Sequence, residues 1–245
     1  MKRAIIVGAT SGIGLEVAKE LSRRGWTLGL AGRRHQLLIE IQRKDLNVAA
    51  IESIDITRED AADKLRTLIG KLGGMDLYFH SSGIGFQNPL LDVEKEMATI
   101  NTNTMGFGRM VTAAYKYFEG QGEGHIAVIS SIAGTKGLGA APAYSSTKRF
   151  INHYLECLSQ LVRMRHQNIT ISDIRPGFVK TALIADGGNY PMQLDAAEVA
   201  REIVEKLERR KAIITIDWRY RILVFFWRLI PRWLWIRLPI VTKEI

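Results

Sequence analysis

Ala4-Ile5-Ile6-Val7-Gly8-Ala9-Thr10-Ser11-Gly12-Ile13-Gly14 is the stretch that decides the fold. An uninterrupted apolar run from Ala4 to Val7 suits a strand buried on both faces. Gly8 to Gly14 is a loop of small residues, after which Ile13, Val17, Ala18 and Leu21 recur at helical spacing. A strand passing into a helix through such a loop presents backbone N–H groups at the positive end of the helix dipole. A phosphate or pyrophosphate binds there. The apolar run is too short for the core of a signal peptide, and Thr10, Ser11 and Glu16 break the apolar character beyond Gly8.

The alternation continues outward from this unit. Thr27–Ala31, Val48–Ile54, Met75–Phe79, His125–Ile129, Ile169–Ile174 and Ala212–Ile216 read as strands. Arg58–Leu72, Asp92–Phe118, Tyr144–Arg165 and Ala196–Arg210 read as helices, the third with Ile151, Leu155, Leu158, Leu161 and Val162 as its core-facing stripe. Continuous apolar strands separated by helices predict one doubly wound, Rossmann-type α/β domain: a parallel sheet of about seven strands flanked by helices. This domain is expected over 1–217, with a helical appendage over 218–245.

Composition narrows the functions. The 245 residues carry 34 Lys+Arg against 25 Asp+Glu, a net charge of +9. Residues 1–217 hold 28 basic and 24 acidic side chains, whereas 218–245 hold 6 basic and 1 acidic. The excess is local, so a nucleic-acid partner is not expected. A single cysteine, Cys157, excludes an intrachain disulfide framework and Cys-rich zinc modules, and it reads as a small packing residue. The five histidines, 35, 80, 125, 153 and 166, show no metal-ligand spacing, so no metal is expected. With no apolar run long enough to span a bilayer, the chain is expected to be cytoplasmic.

The chemistry-bearing motifs lie at strand ends. Tyr144 and Lys148, in Tyr144-Ser145-Ser146-Thr147-Lys148, stand one helical turn apart and share a face. An ammonium beside a phenol is expected to lower its pKa from near 10, making it a usable acid or base at neutral pH. Together with the Gly8–Gly14 loop this pair resembles the short-chain dehydrogenase/reductase (SDR) family over about residues 3–216.

The resemblance implies a hydride-transferring enzyme, with Tyr144 as general acid or base and Lys148 holding the ribose of a nicotinamide cofactor. Ser131, thirteen residues before Tyr144 and three before Gly134, takes the family's serine position and would hydrogen-bond the substrate oxygen. Its neighbour Ser130 is then structural. In Asn101-Thr102-Asn103-Thr104-Met105-Gly106 the family's Asn-x-x-Gly spacing selects Asn103, which would bend its helix locally and hold a water linking Lys148 to solvent. Cofactor contacts are implied for Gly8, Thr10, Ser11, Gly12, Ile13 and Gly14 in the loop, and for Asp55 and Ile56. The same holds for Ser81, Gly83, Tyr144, Lys148, Pro176, Gly177, Val179 and Thr181. At the end of the second strand Gly32 replaces the aspartate of NAD-preferring relatives, and Arg33 and Arg34 come next. A guanidinium fork there favours NADP(H) over NAD(H). The chain departs from the family at Val7 and at His80-Ser81-Ser82-Gly83, where relatives read Asn-Asn-Ala-Gly, which puts the usual side-chain bracing of the central strands in doubt.

Substrate choice in the family lies between the sixth strand and the last helix. Here Ala182–Leu194 reads as a lid hinged at Gly187-Gly188, with Leu183, Ile184, Tyr190 and Met192 as an apolar wall. A carbonyl or alcohol substrate of lipid-, steroid- or acyl-like character is expected, in a homodimer or homotetramer. Trp218–Leu238 holds four of the five tryptophans and five arginines, with no acidic residue. Ile222, Phe225, Phe226, Leu229 and Ile230 share a helical face, Arg221, Arg228 and Arg232 gather on another, and Pro231 divides the segment. Such a segment suits either peripheral membrane contact through 218–238 or packing on its own domain or a second subunit. Two other readings of the whole chain are a non-catalytic NADP(H)-binding sensor and a membrane-peripheral binding protein on the same fold.

Overall fold

A computed structural model describes residues 2–44, 47–184 and 190–240. Seven strands form one parallel sheet: β1 (Arg3–Val7), β2 (Thr27–Gly32), β3 (Val48–Ser53), β4 (Leu77–His80), β5 (Glu123–Ile129), β6 (Asn168–Arg175) and β7 (Ile213–Thr215). Their order is β3-β2-β1-β4-β5-β6-β7, so the winding reverses between β1 and β4. A crevice opens at the carboxyl ends of strands at such a reversal.

Period-2 alternation along β1 feeds two cores. Ile5 and Val7 face the layer of α3 (Ala61–Leu72), α5 (Phe107–Gln121) and α6 (Pro142–Met164). Ala4 and Ile6 face α1 (Gly12–Arg23), α2 (His35–Gln42) and α7 (Ala196–Glu208). Burial of both strand faces explains the unbroken apolar runs.

Three differences from the sequence reading are informative, and a fourth feature, the division of the appendage at Pro231, is as expected. The helix expected from Asp92 is interrupted: α4 (Val93–Ile100) passes through one π-helical stretch, Asn101–Gly106, into α5. The short helix α2 carries only Leu38 and Ile41 inward, too few for a periodic signal. Cys157 is exposed, not packed: it falls two residues after Leu155, about 200° around α6 from the buried stripe. The appendage forms α8 (Trp218–Leu229) and α9 (Arg232–Trp235), separated at Pro231, whose missing N–H cannot continue a helix.

Candidate active site

The loop after β1 packs backbone against backbone. Gly8 has φ +91°, and a Cβ there would stand 2.7 Å from the Ser82 nitrogen; one on Gly14 would meet the Gly8 oxygen at 2.2 Å. Only glycine permits both approaches. The first turn of α1 contains no acidic residue, and no side chain caps it, leaving its positive end open to an anion. Thr181 lies beside Gly12, so the segment after β6 borders the same loop. Arg34 folds over the loop, donating from Nη2 to Thr10 Oγ1 and Ser11 Oγ, both at 2.7 Å. The Arg33 charge acts on Asp55. Burial alone would raise the Asp55 pKa, but two hydrogen bonds from Thr57 and the charges of Arg33 and Arg58 hold it below its usual range. Arg33 and Arg34 thus follow directly on the end of β2, where Gly32 adds no side chain. Ile56 is buried, and its carbonyl accepts from Arg109 at 2.9 Å.

A second group gathers at the ends of β4 and β5. Ser131 follows β5, and its Oγ accepts from the Ala133 amide at 3.0 Å. Ser131 is a polar neighbour of the Tyr144 hydroxyl and acts to lower its pKa. Lys148, one turn further along α6, donates to the Ile129 carbonyl at 3.0 Å and places its ammonium 5.6 Å from the Tyr144 ring centroid. Asn103 sits in the π-helical stretch, which widens the helix and sends this side chain inward. Its amide donates to the Ile84 carbonyl at 2.7 Å and to Thr147 Oγ1 at 3.1 Å, and its Oδ1 accepts from the Ile84 amide. Gly83 lies next to Asn103 and Lys148. Ser81, whose amide bonds the Val7 carbonyl, joins this group to the loop after β1. The motif residues from β1, β4, β5 and α6 therefore converge on one crevice.

Electrostatics here differ from the expectation. Burial holds the Tyr144 phenol above its ordinary pKa, and Ser131 acts in the opposite sense. Burial also pushes Lys148 down to about 8, the Asp173 carboxylate acting in the opposite sense. Asp173, on β6, is buried with Asn152 and Ser130. Asn152 donates to Asp173 Oδ2 at 2.9 Å and to Ser130 Oγ at 2.8 Å, and Arg175 closes an ion pair at 2.6 Å. Sequence reasoning missed Asp173 and Asn152. Asn152 lies one turn beyond Lys148 on the Tyr144 face, a continuation of the spacing that could have identified it. His80 bonds the Tyr78 hydroxyl at 2.8 Å; burial and the Lys148 charge push its pKa down to about 3. It braces β4 as a neutral ring.

The appendage reaches this site. The Tyr220 ring lies against Gly177, where a Cβ would come within 2.2 Å of it. Its hydroxyl accepts from the Phe178 amide at 3.1 Å and donates toward the Pro191 and Met192 carbonyls, both at 3.0 Å. Pro176, Gly177 and Val179 are thereby tied to both flanks of the expected lid. The Tyr190 ring lies tilted at 50° against Phe178 with 4.9 Å between centroids, and its hydroxyl accepts from Gln87 at 2.6 Å. The hinge at Gly187-Gly188 and the side chain of Leu183 lie outside the described residues. No sequence signal singled out Tyr220. Replacing it with Phe is expected to cost about 1–3 kcal/mol of stability, because the Phe178 amide loses its acceptor; urea unfolding measures it.

A Rossmann-type sheet carrying Ser, Tyr and Lys around its switch-point crevice is the framework of a nucleotide-dependent oxidoreductase. The chain belongs to the short chain dehydrogenase family, whose model matches residues 2–188. An uncharacterized oxidoreductase of Myxococcus xanthus is 33% identical over 227 residues, covering 89% of this chain and 88% of that protein. Among solved structures, a short chain dehydrogenase/reductase from Burkholderia phymatum in complex with NAD superposes with a TM-score of 0.81 at 20% identity, covering 100% of this chain and 97% of the other. Actinorhodin polyketide ketoreductase with NADPH gives 0.75 at 21% identity, covering 88% and 95%. These last two similarities speak to the fold.

Proposed function

We propose that the protein is an NADP(H)-dependent reductase that interconverts an apolar carbonyl compound and its secondary alcohol. The observation that carries this reading is the convergence of Ser131, Tyr144 and Lys148 at the end of β5, with the Lys148 ammonium 5.6 Å from the Tyr144 ring centroid and bonded to the Ile129 carbonyl at 3.0 Å. NADPH oxidation across a panel of aldehydes and ketones tests it. Turnover that favours hydrophobic members is expected; tight NADPH binding with no turnover on any member would identify a nucleotide sensor instead.

The residues around the crevice fit the cofactor. The open end of α1 and the Gly8–Gly14 backbone suit a pyrophosphate, and Asp55 and Ile56 border the adenine side. Ser81, Gly83 and Lys148 border the ribose, while Pro176, Gly177, Val179 and Thr181 adjoin the nicotinamide. When bound, the cofactor supplies the hydride. In reduction Tyr144 gives its proton to the substrate oxygen, and Ser131 donates a second hydrogen bond as negative charge develops there. Lys148 stabilises the resulting phenolate. Asn103 holds the Ile84 backbone and Thr147 in register, fixing the start of α6.

Arg33 and Arg34 support the NADP(H) preference, since a 2′-phosphate entering at Gly32 would meet both. The double substitution Arg33→Ala/Arg34→Ala should weaken NADPH binding at least tenfold and leave NADH binding within about twofold. Equal losses for the two cofactors, measured by fluorescence titration, would remove the assignment. Phe178, Tyr190 and Met192 support an apolar substrate. Exposed Met97, Met105 and Phe150, on α4, the π-helical stretch and α6, support a homodimer or homotetramer. A cytoplasmic location with peripheral membrane contact through 218–238 belongs to the same proposal. No helix among the described residues is long and apolar enough to cross a membrane.

A further inference from the structure

We infer that the outward face of α8 and α9 docks on a bilayer rich in anionic lipid, at the mouth of the active site. This docking rests on the peripheral placement proposed above and gives it a surface and a lipid class.

Tyr220 and Val224 are the buried residues of α8, with Trp227 packed beside them, and they fix which side of the helix meets the body of the protein. At about 100° per residue, Trp218, Ile222, Phe225 and Leu229 project from the opposite side. A helix resting on a globular body ordinarily turns its polar face outward. Here the outermost ridge is apolar: Trp218, Phe225, Phe226 and Leu229 are each more than 60% exposed, as are Trp233 and Ile236 further on. Arg221 and Arg228 flank the ridge on one side and Arg219 on the other. Arginines beside an apolar ridge match the depth profile of a bilayer surface, with acyl chains beneath the ridge and phosphates beside the arginines.

Charge decides between a bilayer and a second copy. No acidic residue occurs in Trp218–Leu238, so a two-fold contact through this face would bring arginines against arginines. Anionic headgroups would neutralise them. The unit is also fixed to the active-site rim, independently of Tyr220. Lys136 donates to the Ile230 carbonyl, and Trp235 Nε1 to the Gly137 carbonyl, both at 2.6 Å. A docked face therefore holds the loops at 136–137 and 177–178 behind α8 and α9, about one helix diameter from the lipid out of which an apolar substrate would come.

The experiment is co-sedimentation of the full chain with vesicles of phosphatidylcholine alone or with about one-third phosphatidylglycerol. Binding is expected only with phosphatidylglycerol and should weaken as salt is raised. Phe225→Ser/Phe226→Ser and, separately, Arg221→Gln/Arg228→Gln should each lower partitioning roughly tenfold or more, with NADPH oxidation on a water-soluble carbonyl unchanged. Folded, NADPH-binding protein that stays in the supernatant would overturn the inference. So would binding indifferent to both variants, or a Cys157→Ser/Phe226→Cys chain that crosslinks to a second copy and then no longer sediments. Loss of turnover with vesicle binding intact would instead count against the reductase reading alone.

Discussion

Tyr144→Phe is expected to lower kcat/KM for carbonyl reduction by about 10³–10⁴-fold while leaving NADPH affinity within about twofold. The substitution keeps the ring, its contact with the Gly85 backbone and its position over Lys148. Only the hydroxyl is removed. Ser131 can still donate to a carbonyl oxygen, but no group at that point can release a proton. The burial that raises the Tyr144 pKa keeps the phenol protonated at neutral pH, the form that reduction needs. Stopped-flow NADPH oxidation beside an equilibrium titration separates the two effects; full activity in the variant would remove Tyr144 from the chemistry.

Lys148→Met should separate activity from stability. Turnover is expected to fall at least a hundredfold, since nothing then offsets the phenolate left by proton transfer. The fold should become more stable. Lys148 is 5% exposed, and its pKa of about 8 lies below the ordinary 10.5, so the folded protein holds this charge at a cost. The unfolded chain binds more protons between these values, so the cost is complete below about pH 8 and vanishes above about 10.5. A shift of this size corresponds to roughly 3 kcal/mol, from which about 1 is subtracted for the bond lost by the Ile129 carbonyl. The expected Tm rise is roughly 4–8 °C at pH 7, shrinking toward zero near pH 10. The same titration shapes the wild-type rate: reduction should decline as pH rises through about 8, where the ammonium is lost. A Tm unchanged at pH 7, or a reduction rate that climbs through pH 8, would show that Lys148 carries no buried charge.

The parallel sheet was legible because its strands are buried on both faces and read as unbroken apolar runs. β7 ends at Thr215 and α8 begins at Trp218, where the composition changes from mixed to Trp- and Arg-rich. Tyr144, Lys148, Ser131 and Asn103 could be singled out because local spacing and a family resemblance both act on them. What stayed hidden depends on long-range contact. The Asp173 carboxylate reaches Asn152 and Ser130 only when β5, β6 and α6 assemble. Tyr220 finds Gly177 across more than forty positions of chain. The expected lowering of the Tyr144 pKa overlooked burial, which spacing on one helix does not reveal. Cys157 was misplaced for a simpler reason: a small apolar residue near a core stripe is assigned inward unless its rotation about the helix is counted.

Direct hydride transfer is tested most plainly by isotope. NADPH deuterated at the transferable nicotinamide position is mixed with a hydrophobic ketone and the wild-type enzyme, and the alcohol is analysed by mass spectrometry and NMR. One deuterium at the carbinol carbon for each NADPH oxidised, delivered to a single face and absent with Tyr144→Phe, is the expected result. Alcohol without the label, or NADPH binding with no alcohol formed from any carbonyl in the panel, would contradict the assignment of this crevice as a reductase site.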